Sequence, residues 1–138
     1  TFNTKALRHE DTLDAYREPD LTRDVIGLAI EVHRHLGPGL LESAYEECLC
    51  YELGCAGIPF ARQQKLPVHY KGIALNSRYQ MDIVVDDKLV LEIKAVDPIS
   101  AIHEAQLLTY LRLGGYRLGL LLNFNRATLK DGIKRLRI

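Results

Sequence analysis

Acidic and basic side chains occur near the middle of the chain at a spacing that could bind a metal ion. Asp82 and Glu92 lie in two extended, largely apolar runs joined by a short polar turn at residues 86–88. If these runs form a hairpin, Asp82 stands opposite Glu92, with about 5 Å between their β-carbons. Strand alternation places Lys94 on the same face. Because two opposed acids repel each other, the pattern predicts a cation between them.

The chemistry of such a site follows from its ligands. Carboxylate oxygens with room for water and phosphate suit Mg²⁺ or Mn²⁺. Such an ion polarises a phosphodiester and lowers the pKa of a bound water. Lys94 could orient or deprotonate that water, or neutralise the charge of the transition state. An ordinary solvated strand face is the alternative that spacing alone leaves open.

Two helices are predicted ahead of these strands. The first begins near Asp20 or Thr22 and ends before the Gly-Pro-Gly sequence at residues 37–39. The second covers about residues 40–56. Glu42 lies on the flank of its apolar stripe and can point into a cleft. The residues predicted to face inward are Leu41, Ala44, Tyr45, Cys48 and Leu49.

The rest of the chain predicts strands around a third helix. Residues 59–75 are expected to form a strand, and the hairpin follows with runs at residues 78–85 and 89–96. One hairpin face is uniformly apolar: Ile83, Val85, Leu89, Leu91 and Ile93. Ser100 caps a helix whose predicted inward residues are Ile102, Ala105, Leu108, Thr109 and Leu111. Residues 118–124 suit a buried strand, and residues 133–138 a final edge strand.

Composition indicates a folded chain with one domain. Hydrophobic residues make up 47% and charged residues 26%, which is typical of a globular protein. We expect a polar arm at residues 1–20 and a single domain at residues 21–138. Three cysteines without a Cys-x-x-Cys pair suggest reduced, structural thiols. No apolar run is long enough to span a bilayer, so we expect a soluble, cytoplasmic protein without membrane contact.

Charge is unevenly distributed, although the formal net charge is zero. Residues 112–138 contain seven basic side chains against one acid, whereas residues 40–58 contain four acids and no base. The basic stretch could bind phosphates, but a solvated face is the more common explanation. Neutral overall charge argues against a protein that coats nucleic acid by bulk electrostatics.

The residues also resemble a known family. Asp82 followed by Glu92-Ile93-Lys94 resembles the motif of the PD-(D/E)XK nuclease superfamily. Residues 39–45, Gly-Leu-Leu-Glu-Ser-Ala-Tyr, are similar to the signature of the GxxExxY proteins within it. The resemblance covers about residues 22–138. Met81 replaces the proline that gives the superfamily its name, a position that is often substituted.

The resemblance implies an α/β fold of the restriction-endonuclease type, with a mixed central sheet flanked by helices. Asp82 and Glu92 would hold Mg²⁺ or Mn²⁺, and Glu42 would approach as a further acidic group. Gln106 and Tyr110 look like the Gln-xxx-Tyr pair of exonuclease-like branches, which would touch substrate or brace Lys94. Tyr45, the last residue of the signature, is assigned with them to substrate binding.

Three hypotheses follow. The first is a metal-dependent phosphodiesterase acting on DNA, with Asp82, Glu92, Lys94 and Glu42 as catalytic residues. The second is an inactive nucleic-acid-binding or protein-interaction domain on the same scaffold. The third is a homo-oligomer, such as a homodimer, in which residues 118–124 and the final edge strand provide a pairing surface.

Overall fold

The computed structural model describes residues 18–76 and 79–138. The predicted arm at residues 1–20 therefore lies almost entirely outside the described residues. The helices are α1 (Glu18–Leu36), α2 (Glu42–Cys55) and α3 (Ala101–Gly114). The strands are β1 (Phe60–Lys65), β2 (His69–Tyr70), β3 (Ile73–Ala74), β4 (Gln80–Val85), β5 (Leu89–Lys94), β6 (Leu118–Asn123) and β7 (Ile133–Arg137). A short 3₁₀ turn at Leu129–Gly132 precedes β7.

Five strands form a mixed sheet in the order β1-β4-β5-β6-β7. Neighbouring strands are antiparallel except for β5 and β6, which run parallel. Parallel neighbours need a crossover connection, and α3 provides it. Together, β2 and β3 form a separate two-stranded hairpin. The predicted mixed sheet flanked by helices is confirmed.

Helices cover both faces of the sheet. The apolar hairpin face predicted from sequence is fully buried in one core, together with residues of α1 and α2. A second core joins Val84 and Val90 of the hairpin to Leu107 and Leu111 of α3. Full burial of each such aliphatic side chain stabilises the fold by about 1.5–3 kcal/mol. The central strands are therefore held from both sides.

Close packing of α3 on the sheet depends on a glycine in β6. A β-carbon added at Gly119 would lie 3.0–3.2 Å from three side-chain carbons of Leu107. Such spacing is tighter than an ordinary contact, so a larger residue at this position would force the Leu107 side chain to shift.

Several local predictions were wrong. Leu41, predicted to face inward, is 79% exposed and Ile102 is 72% exposed. Of the predicted inward residues of α3, Leu111 is buried, and the other buried residues of the helix are Leu107 and Tyr110. The single strand predicted for residues 59–75 is divided into β1 and the β2–β3 hairpin. Helix α1 begins at Glu18, before either proposed cap residue.

The proposed pairing surface at residues 118–124 is also corrected. Every residue of β6 is buried, and the strand is hydrogen-bonded on both sides to β5 and β7. Its backbone groups are already used within the sheet, so β6 has no edge to offer a second chain.

Candidate active site

The hairpin has the register predicted from its turn. Val85 pairs with Leu89, and Ile83 pairs with Leu91, which sets Asp82 opposite Glu92. Beyond Ile83, backbone amides of the hairpin donate to side-chain carboxylates instead of to backbone carbonyls. The Asp82 amide donates to Oε2 of Glu92 over 3.1 Å, and the Ile93 amide donates to Oδ2 of Asp82 over 2.8 Å. The two carboxylates are thus held in one gap between the strands.

This arrangement concentrates negative charge in a poorly solvated place. Glu92 is 4% exposed. Burial, and then the charge of Asp82, raises its pKa to about 8. Burial also raises the pKa of Asp82, against the opposing effect of the Ile93 amide. A buried acid with a raised pKa next to a like charge is typical of functional sites rather than of stabilising surface pairs.

Lys94 provides positive charge at the end of β5. Its charge lowers the pKa of both Asp82 and Glu92, so the ammonium lies within electrostatic reach of the pair. The backbone around Lys94 is fixed, because its carbonyl accepts a bond from the Phe124 amide over 2.9 Å. The structure therefore brings together all three residues of the motif.

A third acid, Glu46, was missed by the sequence analysis. Glu46 lies in α2, is 6% exposed, and its charge raises the pKa of both Asp82 and Glu92. Its Oε2 is 2.6 Å from Nε of Arg62. Glu46 lies four residues after Glu42, so helical spacing was the signal that could have found it.

Gln63 connects Glu46 to the acid pair. Its amide nitrogen donates to Oε1 of Glu46 over 2.9 Å and reaches Oδ1 of Asp82 over 3.3 Å. Gln63 has a φ of 52°, in the left-handed region that side-chain-bearing residues rarely adopt. Strained backbone of this kind clusters at functional sites, where the surroundings enforce it.

Glu42 approaches the other end of the motif. It is the first residue of α2, and its Oε2 accepts a hydrogen bond from the Ala95 amide over 3.1 Å. Ala95 follows Lys94 directly, so this bond links the helix start to the end of β5. The carboxylate is solvent-exposed and stays open to further partners.

Gln106 and Tyr110 form a pair on α3. The Gln106 amide donates to the Tyr110 hydroxyl over 3.1 Å. Burial, and then the charge of Glu92, raises the pKa of Tyr110, which places the phenol beside the acid pair. The Tyr110 ring also meets Tyr79 edge-on, with ring centroids 6.4 Å apart. Tyr110 is 8% exposed and packs in the second core, whereas Gln106 is exposed, so Gln106 is the more accessible member of the pair.

Tyr45 does not fit its assignment to substrate binding. It is fully buried, and its ring stacks on Phe124 with centroids 4.4 Å apart. Its hydroxyl donates to the Gly37 carbonyl over 2.6 Å and accepts from the Leu40 amide over 3.1 Å. Because the packing shields Tyr45 from any ligand, we correct this assignment. The side chain fixes the loop that leads into α2 and thereby positions Glu42.

The acid pair fits a hard divalent cation. Among residues 18–76 and 79–138, no group of three or more His, Cys, Asp or Glu side chains is arranged to hold a metal. Mg²⁺ does not need such a cage, because it keeps several waters and binds through one or two carboxylates together with substrate phosphate. Asp82 and Glu92 supply that donor set, and the unfavourable closeness of their charges is what a cation would relieve.

Comparison with known proteins agrees with the geometry. Residues 19–136 match the family model described as the PD-(D/E)XK nuclease superfamily. The chain belongs to this superfamily. Neither the curated proteins nor the solved structures contain a match. Within the described part of the chain, none of the helices has both the length and the apolar content needed to cross a bilayer.

Proposed function

We propose that the protein is a nuclease that uses Mg²⁺ or Mn²⁺ to hydrolyse phosphodiester bonds of DNA. The observation that carries this proposal is the crossed pair of hydrogen bonds that holds Asp82 and Glu92 in one gap. Those bonds keep both acids together although their charges repel. Superfamily membership supports the same chemistry.

Asp82 and Glu92 would hold the ion. When bound, it supplies Lewis-acid polarisation of the phosphate and acidifies a coordinated water. Each carboxylate uses one oxygen for a backbone amide, Oδ2 of Asp82 and Oε2 of Glu92. Oε1 of Glu92 and Oδ1 of Asp82 would coordinate the ion, and Oδ1 would then exchange its 3.3 Å contact with the Gln63 amide for the metal. Because the amides fix both side chains, the site is organised before substrate arrives.

Lys94 has the role of the catalytic cation or base. Its ammonium lies near both acids, where it can hold the attacking water or offset charge that develops on the phosphate. Glu42, tied to the Ala95 amide, is proposed to assist by accepting a hydrogen bond from that water. Gln106 and Tyr110 are proposed to contact the substrate on the α3 side.

Residues 39–45 support placement in the GxxExxY branch. Gly39 has a φ of 100°, which favours glycine, and Tyr45 ties the loop to the start of α2. Gly39 and Tyr45 of the signature thus both help to position its glutamate, Glu42. The described geometry gives a physical reason for the motif.

The test is a cleavage assay on single-stranded and duplex DNA with Mg²⁺, Mn²⁺ or EDTA. We expect products only with a divalent ion, and a loss of about 10²- to 10³-fold in the Asp82→Asn variant with its fold preserved. Equal cleavage by Asp82→Asn would indicate a contaminant and reject the mechanism. Salt-sensitive binding without products would instead support the inactive nucleic-acid-binding domain.

A further inference from the structure

An apolar groove lies beside the acid pair. Its volume is about 320 Å³, and it is bounded by α3, by the segment that leads into β4, and by the region of the β2–β3 hairpin. Aliphatic residues on its walls include Leu66, Val68 and Leu75, facing Ile102 and Leu113 of α3. None of the described residues that line it is charged. The groove therefore suits an uncharged, flat or apolar group.

The groove is open to solvent. Ile102 is 72% exposed, Tyr79 is 47% exposed, and Leu75 and Leu113 are nearly as accessible. Apolar residues gathered in an exposed concave surface are characteristic of ligand-binding sites. Leu66 and Tyr110 of the groove also belong to the second core, whereas its exposed residues belong to neither core.

Tyr110 connects the groove with the candidate active site. Tyr110 lines the groove and lies close enough to Glu92 and Asp82 to sense their charges. Tyr79, whose ring contacts Tyr110, precedes Asp82 by three residues, or about 10 Å of extended chain. A phosphate at the acids and a neighbouring base in the groove could thus belong to one strand.

We propose that this groove receives an unpaired base of the nucleic-acid strand whose phosphate lies at Asp82 and Glu92. This inference rests on the proposed nuclease function and narrows its substrate to single-stranded DNA or duplexes with unpaired nucleotides. In a duplex the bases are stacked and paired, so none is free to enter. A volume at the small end of ligand pockets matches a single ring system rather than a larger partner.

The chemistry of the walls agrees with a base. Tyr79 offers exposed aromatic surface, and binding of a base that stacks on such a ring weakens by about 5- to 100-fold when the ring is removed. Gln106 and Thr109 also line the groove and can hydrogen-bond the edge of a base. None of the described residues that line the groove is a cation that could pair with a phosphate, so we place the backbone near Lys94 and the base in the groove.

Affinity for a short, fluorescent oligodeoxythymidylate tests the proposal. Affinity is measured by anisotropy in the Asp82→Asn background, which slows cleavage during the titration. Tyr79→Ala should weaken binding by about 5- to 100-fold, whereas Tyr79→Phe should stay close to the parent. Tyr51→Ala is the matched control, because Tyr51 is 69% exposed on α2 and does not line the groove. Equal affinity for Tyr79→Ala and the parent would overturn the proposal.

Ile102→Glu provides a variant whose folding is not at risk, because the side chain is mostly exposed. A charge placed in the groove should oppose base entry and weaken oligonucleotide binding by about tenfold. If Ile102→Glu changes only self-association in light scattering, a second copy of the chain occupies the groove and the proposal fails.

Binding of an oligonucleotide that lacks one base tests directly whether a base occupies the groove. Removing the base that occupies the groove should weaken binding by the parent but not weaken Tyr79→Ala further, since both changes remove the same stacking contact. Fully additive losses at every position of the strand would contradict base insertion.

Cleavage distinguishes failure of this inference from failure of the proposed function. If the parent protein cuts DNA and Tyr79→Ala cuts single strands equally well, the groove proposal fails and the nuclease remains. If no divalent-dependent cleavage of any DNA is found, the proposed function itself fails.

Discussion

The β4–β5 hairpin has two halves with different roles. The turn half contains the paired residues 83–85 and 89–91, and the open half contains Asp82 and Glu92. Next to the turn, the backbone ladder is regular and Val84 and Val90 are buried under α3. In the open half, the amides of Asp82 and Ile93 donate to carboxylates instead. The turn half stabilises the fold, and the open half holds two carboxylates whose charges repel each other. Variants in the two halves should therefore separate stability from activity.

Lys94→Ala should have the largest effect. This variant loses the ammonium that offsets charge developing on the phosphate, so DNA cleavage should fall about 10²- to 10³-fold. The measurement is kcat/KM with Mn²⁺, alongside a thermal melt. Lys88→Ala, a lysine in the turn of the same hairpin, serves as control and should keep full activity. Similar losses in both variants would show that general positive charge, not the position of Lys94, matters.

The raised pKa of Glu92 in the open half should make the stability of the protein depend on pH. In the metal-free folded state Glu92 keeps its proton up to a pKa of about 8, compared with 4.5 for an unperturbed glutamate. The folded chain thus binds this proton more tightly than the unfolded chain. Protonation of Glu92 therefore contributes fully to folding stability below the unperturbed pKa of 4.5. This contribution is lost as the pH rises through about 8, and the total loss is on the order of a few kcal/mol.

Urea denaturation in EDTA at about pH 5 and about pH 8 measures this change. Glu92→Gln is the control, because it cannot titrate and should lose much less stability over the window. A wild-type free energy of unfolding that falls no more than that of Glu92→Gln would contradict the assignment.

Val90→Ala probes the turn half. Removing buried methyl groups from the second core should lower the free energy of unfolding by about 2 kcal/mol. Activity per folded molecule should remain that of the parent below the melting temperature, because the acids keep their hydrogen bonds. A specific activity that falls with stability would show that the two halves are coupled.

Gln63→Gly should have the smallest effect on stability. Glycine adopts a φ of 52° without strain, which offsets the stability lost with the Gln63 hydrogen bonds, so the free energy of unfolding should change by less than about 1 kcal/mol. The variant also loses the amide that links Glu46 to Asp82, so activity should fall several-fold. Gln63→Ala separates the two effects, since it loses the amide but keeps the strain. Unchanged activity in both variants would remove Gln63 from the site.

Much of the open half could be predicted from sequence, because strand alternation and a short turn fix the register around Asp82 and Glu92. The role of Gln63 could not, since nothing in its residue type signals a left-handed backbone. The inward face of helix α3 was predicted correctly only at Leu111, because the apolar residues of the helix surround more than one face. The close approach of Leu107 to Gly119 decides the inward face, and that contact is long-range.

Titration calorimetry with Mn²⁺ at about pH 6 and about pH 8 tests the central claim most directly. If a divalent ion belongs between Asp82 and Glu92, it must displace the proton of Glu92, so affinity should increase severalfold or more at the higher pH. Asp82→Asn should abolish binding at both pH values. Absence of binding by the wild-type protein, or equal binding by Asp82→Asn, would contradict the account.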